Sequence, residues 1–448
     1  MFDQIEAQAR CAKAIDLAVK AGAGLADAIV IGSSTEQVQV RLGNLEDVER
    51  SENEELGLRV FVGQRSASIH ATDTSEAALN ELAERAVAMA KAAPEDKYAG
   101  FAPEELLAKG PFPDFDLEDD DEPSPTRLRE RALEAEDAAR AVKGVTNSQG
   151  SGASFARSVV ALATSHGFVG SHGATTHMTG VSVVAGEGGN KQRDYKQRAA
   201  RHLEDLLPAQ EIGREAGERT IAKLNPGRMP SRTMPVVFDR RCGNSLLGHL
   251  AGAMSGPQIT RRASFLLDRQ EDELFAPQIR IVEEPHRMRG MHSRPFDGEG
   301  LPTSERVLVE NGRIFGWLTN VASANQLGVD LTGHASRGAG GAPGVGPSNV
   351  YLAAGSVSVD ELIADIEEGV LVTDLFGHGT NMVTGDYSHG AAGFRIEKGE
   401  IAGPVAEFTV AGNLIDMFRQ MTPANDLEIY RRADVPTLRI DGMTVAGD

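Results

Sequence analysis

The apolar positions of this chain change period several times, and each change marks an element. Residues 5–20 are Ala-rich, with Ile15 and Val19 one helical turn apart and Gly22 just beyond, so a helix is expected there. Residues 28–31 form a short continuous apolar run, the mark of a buried strand. Residues 37–41 and 57–62 alternate polar and apolar as half-covered strands do, and 66–70 reads as a further strand. Thr74 precedes a second strong helix over 77–92. These pieces predict helices packed on a mostly antiparallel sheet.

Residues 94–125 break the pattern. Pro103, Pro111, Pro113 and Pro123 surround the acidic run Glu118-Asp119-Asp120-Asp121-Glu122, which predicts a solvated linker. The run lacks the spacing and central glycine of a calcium loop. A charged helix is expected over 126–143, strands at 158–164, 167–171 and 175–184, and a helix over 211–223 closed by Asn225-Pro226-Gly227. His166, His172 and His177 fit no common zinc spacing and read as exposed strand-end histidines. A strand at 234–239 leads into a helix over 242–254, and strands dominate thereafter. Asn311-Gly312 and Lys398-Gly399 signal hairpins. Ser358 and Glu361 form a capping-box pattern before a short helix that Gly369 ends.

The expected fold class is therefore α+β. It comprises an N-terminal α/β domain (1–110), an acidic Pro-rich linker (111–125), a small central α/β domain (126–230) and a strand-rich C-terminal domain (231–448). A chain of 448 residues exceeds one typical core, which agrees with several domains. The net charge of −20 repels phosphate backbones and anionic membranes, so neither is an expected partner. No run approaches the roughly 18 apolar residues of a membrane helix. The first residues carry Asp3, Glu6 and Arg10 and do not resemble a signal peptide. Cys11 and Cys242 lie far apart, which suits a reduced cytoplasmic protein.

Candidate chemistry concentrates in three stretches. Asn244-Ser245-Leu246-Leu247-Gly248-His249 has the outline of a zinc-protease helix, which needs two imidazoles and a glutamate. Here His249 stands alone. Residues 333–346 are Gly-rich, but Pro343, Pro347 and a following strand argue for a flexible loop near a cleft rather than a phosphate loop. Residues 376–394 gather His378, Asn381, Asp386, Tyr387, Ser388 and His389 among glycines, either lining a substrate groove or forming a surface hairpin. Ser388, His389 and Asp386 do not make a hydrolase triad, because neighbours on a strand point to opposite faces.

Taken jointly, Asn244 to His249, Val383-Thr384-Gly385-Asp386-Tyr387-Ser388, Val410-Ala411-Gly412-Asn413-Leu414 and the terminal Val435-Pro436-Thr437-Leu438-Arg439-Ile440-Asp441-Gly442 resemble the TldD/PmbA peptidase family, nearest its PmbA (TldE) branch. The resemblance spans nearly the whole chain. In the TldD branch the helix carries His-Glu-x-x-x-His, with a cysteine near the C-terminus as a further zinc ligand. Carried onto this chain, the first histidine becomes Asn244, the glutamate Ser245, and the cysteine falls near Thr422. A five-residue histidine spacing also turns an ideal helix by about 140°, so the active branch needs a distorted helix.

The resemblance implies a cytosolic zinc metalloprotease of two unlike subunits, acting on unfolded peptides and associated with peptide maturation. This chain would hold no zinc and no catalytic residue, would be inactive alone, and would complete the substrate cleft of a TldD-like partner that holds the zinc. Pairing with a copy of itself when alone stays open. The expected substrate-binding residues are His249, His378, Asn381, Gly385, Asp386, Tyr387 and Ser388. One rival is an independently active hydrolase with a metal site built from His249 with His334, His378 or His389. Another is a non-enzymatic peptide-binding adaptor.

Overall fold

The structure, a computed structural model, describes residues 3–447. Asp3 accepts a hydrogen bond from the Glu6 amide and opens helix α1 (Gln4–Lys20). Ala7, Cys11, Ala14 and Ala18 recur on its buried face. Strands β1 (Leu25–Arg41), β2 (Asn44–Val62) and β3 (Arg65–Ala71) follow, then helix α2 (Glu76–Ala92). Ser124 caps α3 (Pro125–Ala141), with Pro125 in the first turn where no amide is needed. Then come β4 (Val145–Thr164), β5 (Val169–Ala185), β6 (Gln192–Ala200) and α4 (Ala209–Ala222).

The six strands form one antiparallel sheet in the order β3-β2-β1-β4-β5-β6. The expected N-terminal and central domains therefore share a sheet, because β1 pairs with β4 from Asp27↔Thr164 to Val40↔Ser151. The helices cover one face. Ala28, Val30, Leu56 and Leu58 meet α1 and α2, while Val38, Val40, Val181 and Val183 meet α3 and α4. At one end of the other face, Ile29 and Leu162 pack on Phe296 and Leu301 of the C-terminal lobe. At the other end lies an open groove of about 480 Å³, lined by Gln37, Gln39, Gly152, Gly180 and Tyr195.

Two expectations for this lobe fail. Residues 111–125 are not a free linker: Phe115 and Leu117 are buried, and Thr175 N donates to Leu117 O at 2.9 Å. The acidic run is partnered, with Asp119 facing His177 at 3.0 Å and Asp121 facing Arg127 at 2.7 Å. Nor are the histidines exposed strand ends. His172 and His177 lie within β5, His177 is buried, and burial followed by nearby arginine charge pulls His172 down to about 4. His166 sits in the preceding turn, with Nε2 at 2.9 Å from the Ala102 carbonyl.

The C-terminal lobe begins with β7 (Arg232–Phe238), whose end passes through the capping residue Asp239 into α5 (Arg240–Ala253). Later come β8 (Glu368–Phe376), β9 (Asp386–Glu397), β10 (Glu400–Asn413), α6 (Leu414–Arg419), β11 (Met421–Pro423) and β12 (Leu438–Ala446). Their order is β10-β9-β8-β7-β12-β11, and β10 also pairs with β12, closing five strands on themselves. Leu246, Leu247 and Leu250 seat α5 in the core with Phe238, Val370 and Tyr387. A second sheet uses Ile281–Glu283, Arg306–Glu310, Arg313–Ile314, Val350–Leu352 and Ala433–Asp434. The capping box at Ser358 is present, but the helix it opens stops before Ala364, and Gly369 lies inside β8.

The Gly-rich segment 333–346 is a clasp between the lobes rather than a flexible loop. Ala335–Ser336 pairs with Gly344–Val345, and Arg337 reaches Asp27 in β1. A Cβ on Gly57 of β2 would fall 2.2 Å from the Ala339 carbonyl oxygen, so the clasp lies directly on the N-terminal sheet.

Candidate functional site

Residues 377–385 join β8 to β9 as a tight hairpin. Ser388 N donates to Gly379 O, and Asn381 N to Asp386 O, each at 2.8 Å. A Cβ on Gly379 would fall 1.5 Å from the Ser388 carbonyl oxygen, so this close approach requires glycine. Asn381 Oδ1 accepts from the Val383 and Thr384 amides at 2.9 and 3.3 Å, an Asx turn. Gly385 turns the chain with φ +83°. The Asp386 carboxylate accepts from the Thr384 hydroxyl at 2.6 Å and the Asn413 amide at 3.3 Å, which lower its pKa. Asn413 also caps α6, accepting from Ile415 N at 3.1 Å.

The inner face of β9 carries Tyr387 and His389. Tyr387 is 2% exposed, with its ring edge-on to Phe238 and His249 at centroid distances of 6.5 and 6.2 Å. Burial pushes its phenol well up, and Ser245 nearby draws it partly back. The Ser245 hydroxyl, however, donates to the Cys242 carbonyl at 2.7 Å, and Tyr387 Oη has no hydrogen-bond partner among the described residues. Thr380 Oγ1 lies 3.3 Å from His249 Nε2 and 2.9 Å from His389 Nε2. A chain in which His249 donates to Thr380, and Thr380 to His389, satisfies all three atoms. Burial lowers the pKa of both imidazoles, and charge on His389 would lower that of His249 further, so both rings are neutral at pH 7.

The face of α5 turned toward the N-terminal lobe is open. Asn244 lines a cleft of about 340 Å³, and a Cβ on Gly248 would meet nothing within 4 Å. The opposite wall is Tyr195, Lys196 and Gln197 of β6, the same residues that border the groove on the open sheet face.

Three family models match this chain in succession. They are described as PmbA/TldA metallopeptidase domain 1 (residues 26–90), central domain (118–224) and C-terminal domain (231–447). The Metalloprotease PmbA of Escherichia coli O157:H7 is 34% identical, over 100% of this chain and 98% of that protein. The chain belongs to the PmbA/TldD metallopeptidase family. A PmbA homologue of Haemophilus influenzae is likewise 34% identical, covering 97% of this chain and 95% of its own length. Among solved structures, one from Bacteroides thetaiotaomicron, named as a candidate modulator of DNA gyrase, superposes with a TM-score of 0.92. It is 25% identical, and each chain is covered completely. TldE of Thermococcus kodakarensis gives 0.86 at 21% identity, covering 98% of this chain and 100% of that one, a likeness of fold.

Within this family frame, the residues expected at the site separate into two groups. His378, Asn381, Asp386 and Ser388 are exposed on the hairpin, and His249 is half-buried beneath it. Gly385 and Tyr387 are buried, so Tyr387 offers no flat face to a substrate: it is part of the seat of α5. Asp386 and Ser388 point outward while His389 points inward, as the alternation of a strand requires. His334 does not join His249. Its Nε2 lies 2.5 Å from Glu283 Oε2 in a separate buried network. Thr380 and the cleft residues Arg219, Arg241, Tyr430, Arg431 and Arg432 were not singled out from the sequence, and Asn413 entered only as part of a family motif. The adjacent Tyr430-Arg431-Arg432 in so acidic a chain was the available signal.

Proposed function

We propose that this chain is the substrate-holding subunit of a two-subunit cytoplasmic metalloprotease acting on unfolded peptides, with zinc and its catalytic glutamate in a TldD-like partner. The observation that carries the reading is the donor set around α5. A zinc site needs three or four His, Cys or carboxylate donors converging on one point. His249 instead engages the Thr380 hydroxyl, with His389 beyond it, and the Cys242 thiol is buried and pushed up to about 12. Among the described residues no group of three or more His, Cys, Asp or Glu side chains is placed to hold a metal ion. This set does not fit zinc. The cleft, the Gln-lined groove and the exposed hairpin instead provide a surface for an extended chain. No described helix is long and apolar enough to cross a membrane.

The test is metal analysis and peptidase assay of the purified chain, alone and with a TldD-like partner. The reading expects no stoichiometric zinc, no cleavage alone, and chelator-sensitive cleavage by the pair. One zinc per chain, lost on His249→Ala, overturns it and favours the independent hydrolase. Absence of cleavage by the pair, with peptide binding intact, favours the adaptor.

A further inference from the structure

The cleft beside α5 carries positive charge that its own lining does not neutralise. Lys196, Arg219, Arg241, Arg431 and Arg432 face it together with Asn244, and among the described residues no Asp or Glu lines it. Three of these cations are held from behind. Lys196 and Arg219 share Glu215, and Arg241 meets Asp194 and Asp239 at 3.2 and 3.3 Å. Arg431 and Arg432 differ. Arg431 lies 4.7 Å from the Tyr430 ring centroid, Arg432 donates to the Pro347 carbonyl at 2.9 Å, and neither makes an ion pair among the described residues. His292, in the same wall, responds to the local field. Burial first, then the charges of Arg432, Arg201 and Arg294, pull its imidazole down to about 4.

We propose that this cleft is a carboxylate subsite, taking an acidic side chain or the C-terminal carboxylate of an extended peptide. The proposal rests on the peptide-holding reading above and names the chemistry recognised there. Two guanidinium groups with unused donors match the planar, two-oxygen geometry of a carboxylate. The volume of about 340 Å³ suits a side chain or chain end, not a folded partner. Tyr195, Lys196 and Gln197 border both the cleft and the sheet-face groove. There Gln37, Gln39 and Gln149 offer amides that both donate and accept, which a peptide backbone can use whatever its sequence. The carboxylate would thus be the one group read by charge, beside a stretch read through the backbone.

Fluorescence anisotropy on the purified full chain tests this without the partner. The probes are a labelled, C-terminally amidated peptide carrying two Glu residues, its Glu→Gln counterpart, and the Gln peptide with a free C-terminus. The Glu peptide should bind at least about tenfold tighter than the amidated Gln peptide, and less tightly as salt rises. The free-terminus peptide reports whether a terminal carboxylate serves as well. Arg431→Gln with Arg432→Gln should abolish the tenfold preference, bringing the Glu peptide to the affinity of the amidated Gln peptide. Arg431→Gln alone should lower it part-way, and serves if loss of the Pro347 contact disturbs the double variant. Equal affinity for all three peptides overturns the subsite while leaving the peptide-holding reading standing. Binding to none overturns both. A single-stranded oligonucleotide that displaces the Glu peptide and binds more tightly also overturns it, in favour of a phosphate backbone.

Discussion

Replacing Asp27 with asparagine should destabilise the protein by about 3–5 kcal/mol, because it strands buried charge. Asp27 is 1% exposed on β1, opposite Arg59 on β2, and its Oδ2 takes Nη2 and Nε of Arg59 at 2.5 and 2.8 Å. Its other oxygen meets Arg337 from the clasp, and Arg59 reaches Glu299 of the C-terminal lobe at 3.6 Å. Two carboxylates thus face two guanidinium groups across the lobe interface. Asparagine is nearly the same shape but leaves both guanidinium groups with Glu299 alone, whose carboxyl burial raises to about 7. Arg337→Met in that background removes one of the stranded cations and should return on the order of 1–3 kcal/mol. Urea unfolding followed by two probes gives the readout. Trp317, the sole tryptophan, reports on the C-terminal lobe, while circular dichroism reports on both lobes. The two traces should coincide for the native chain and separate for Asp27→Asn, if the ion network couples the lobes. A loss below about 1 kcal/mol, or no recovery on adding Arg337→Met, refutes the reasoning.

Two further predictions concern buried polar groups. Tyr387→Phe should be neutral or stabilising by about 1 kcal/mol, since it removes an unpaired buried hydroxyl, whereas Tyr387→Ala should cost about 3–5 kcal/mol. A clear loss in the phenylalanine variant would mean that Ser245 does hold the hydroxyl. Burial raises the Glu299 carboxyl to about 7, with Arg59 pulling the other way. A raised carboxyl favours folding at low pH, so this contribution is present below about pH 4.5 and is lost as pH rises through 7. Melting curves of Glu299→Gln against the native chain should therefore favour the variant increasingly from pH 5 to 8, by up to about 3 kcal/mol. A difference that stays constant over this range would contradict the shift.

The local signals in the sequence identified the elements better than their extent. The runs at 28–31 and 37–41 look like two strands of different kinds, yet both belong to β1. Near its start β1 is covered on both faces, by α1 and α2 through Ala28 and by Phe296 through Ile29, so the run is continuously apolar. Further on, Val38 and Val40 meet α3 while Gln37 and Gln39 face the open groove, so the pattern alternates. A change in what covers the second face looked like a change of element. Turn chemistry was legible because it is local: Asn311-Gly312 and Lys398-Gly399 adopt the paired positive φ of tight hairpins. The partners of the acidic run at 118–122 were not, because Asp119 meets His177, 58 residues on, only once the sheet has formed.

The same limit applied to the candidate site. Residues 376–394 stood out by composition, but composition does not say which of them point inward. Strand alternation assigns Tyr387 and His389 to the core side and Asp386 and Ser388 to solvent, and that division separates structural from available groups. The arginine cleft was still less visible, because α4, α5 and the 430–432 segment bring its cations together from positions about 200 residues apart. On the proposed reading these two findings belong together. His249 engages the Thr380 hydroxyl, and burial favours its neutral form, so it offers a single hydrogen bond rather than one corner of a metal site. On that reading, what this chain would offer a peptide is position: amides along a sheet face and guanidinium groups at its end. A subunit with those groups can raise the local concentration of substrate at a partner's metal and fix its direction. That division of labour explains why removing Arg431 and Arg432 should alter which peptides are held while the fold around α5 stays intact.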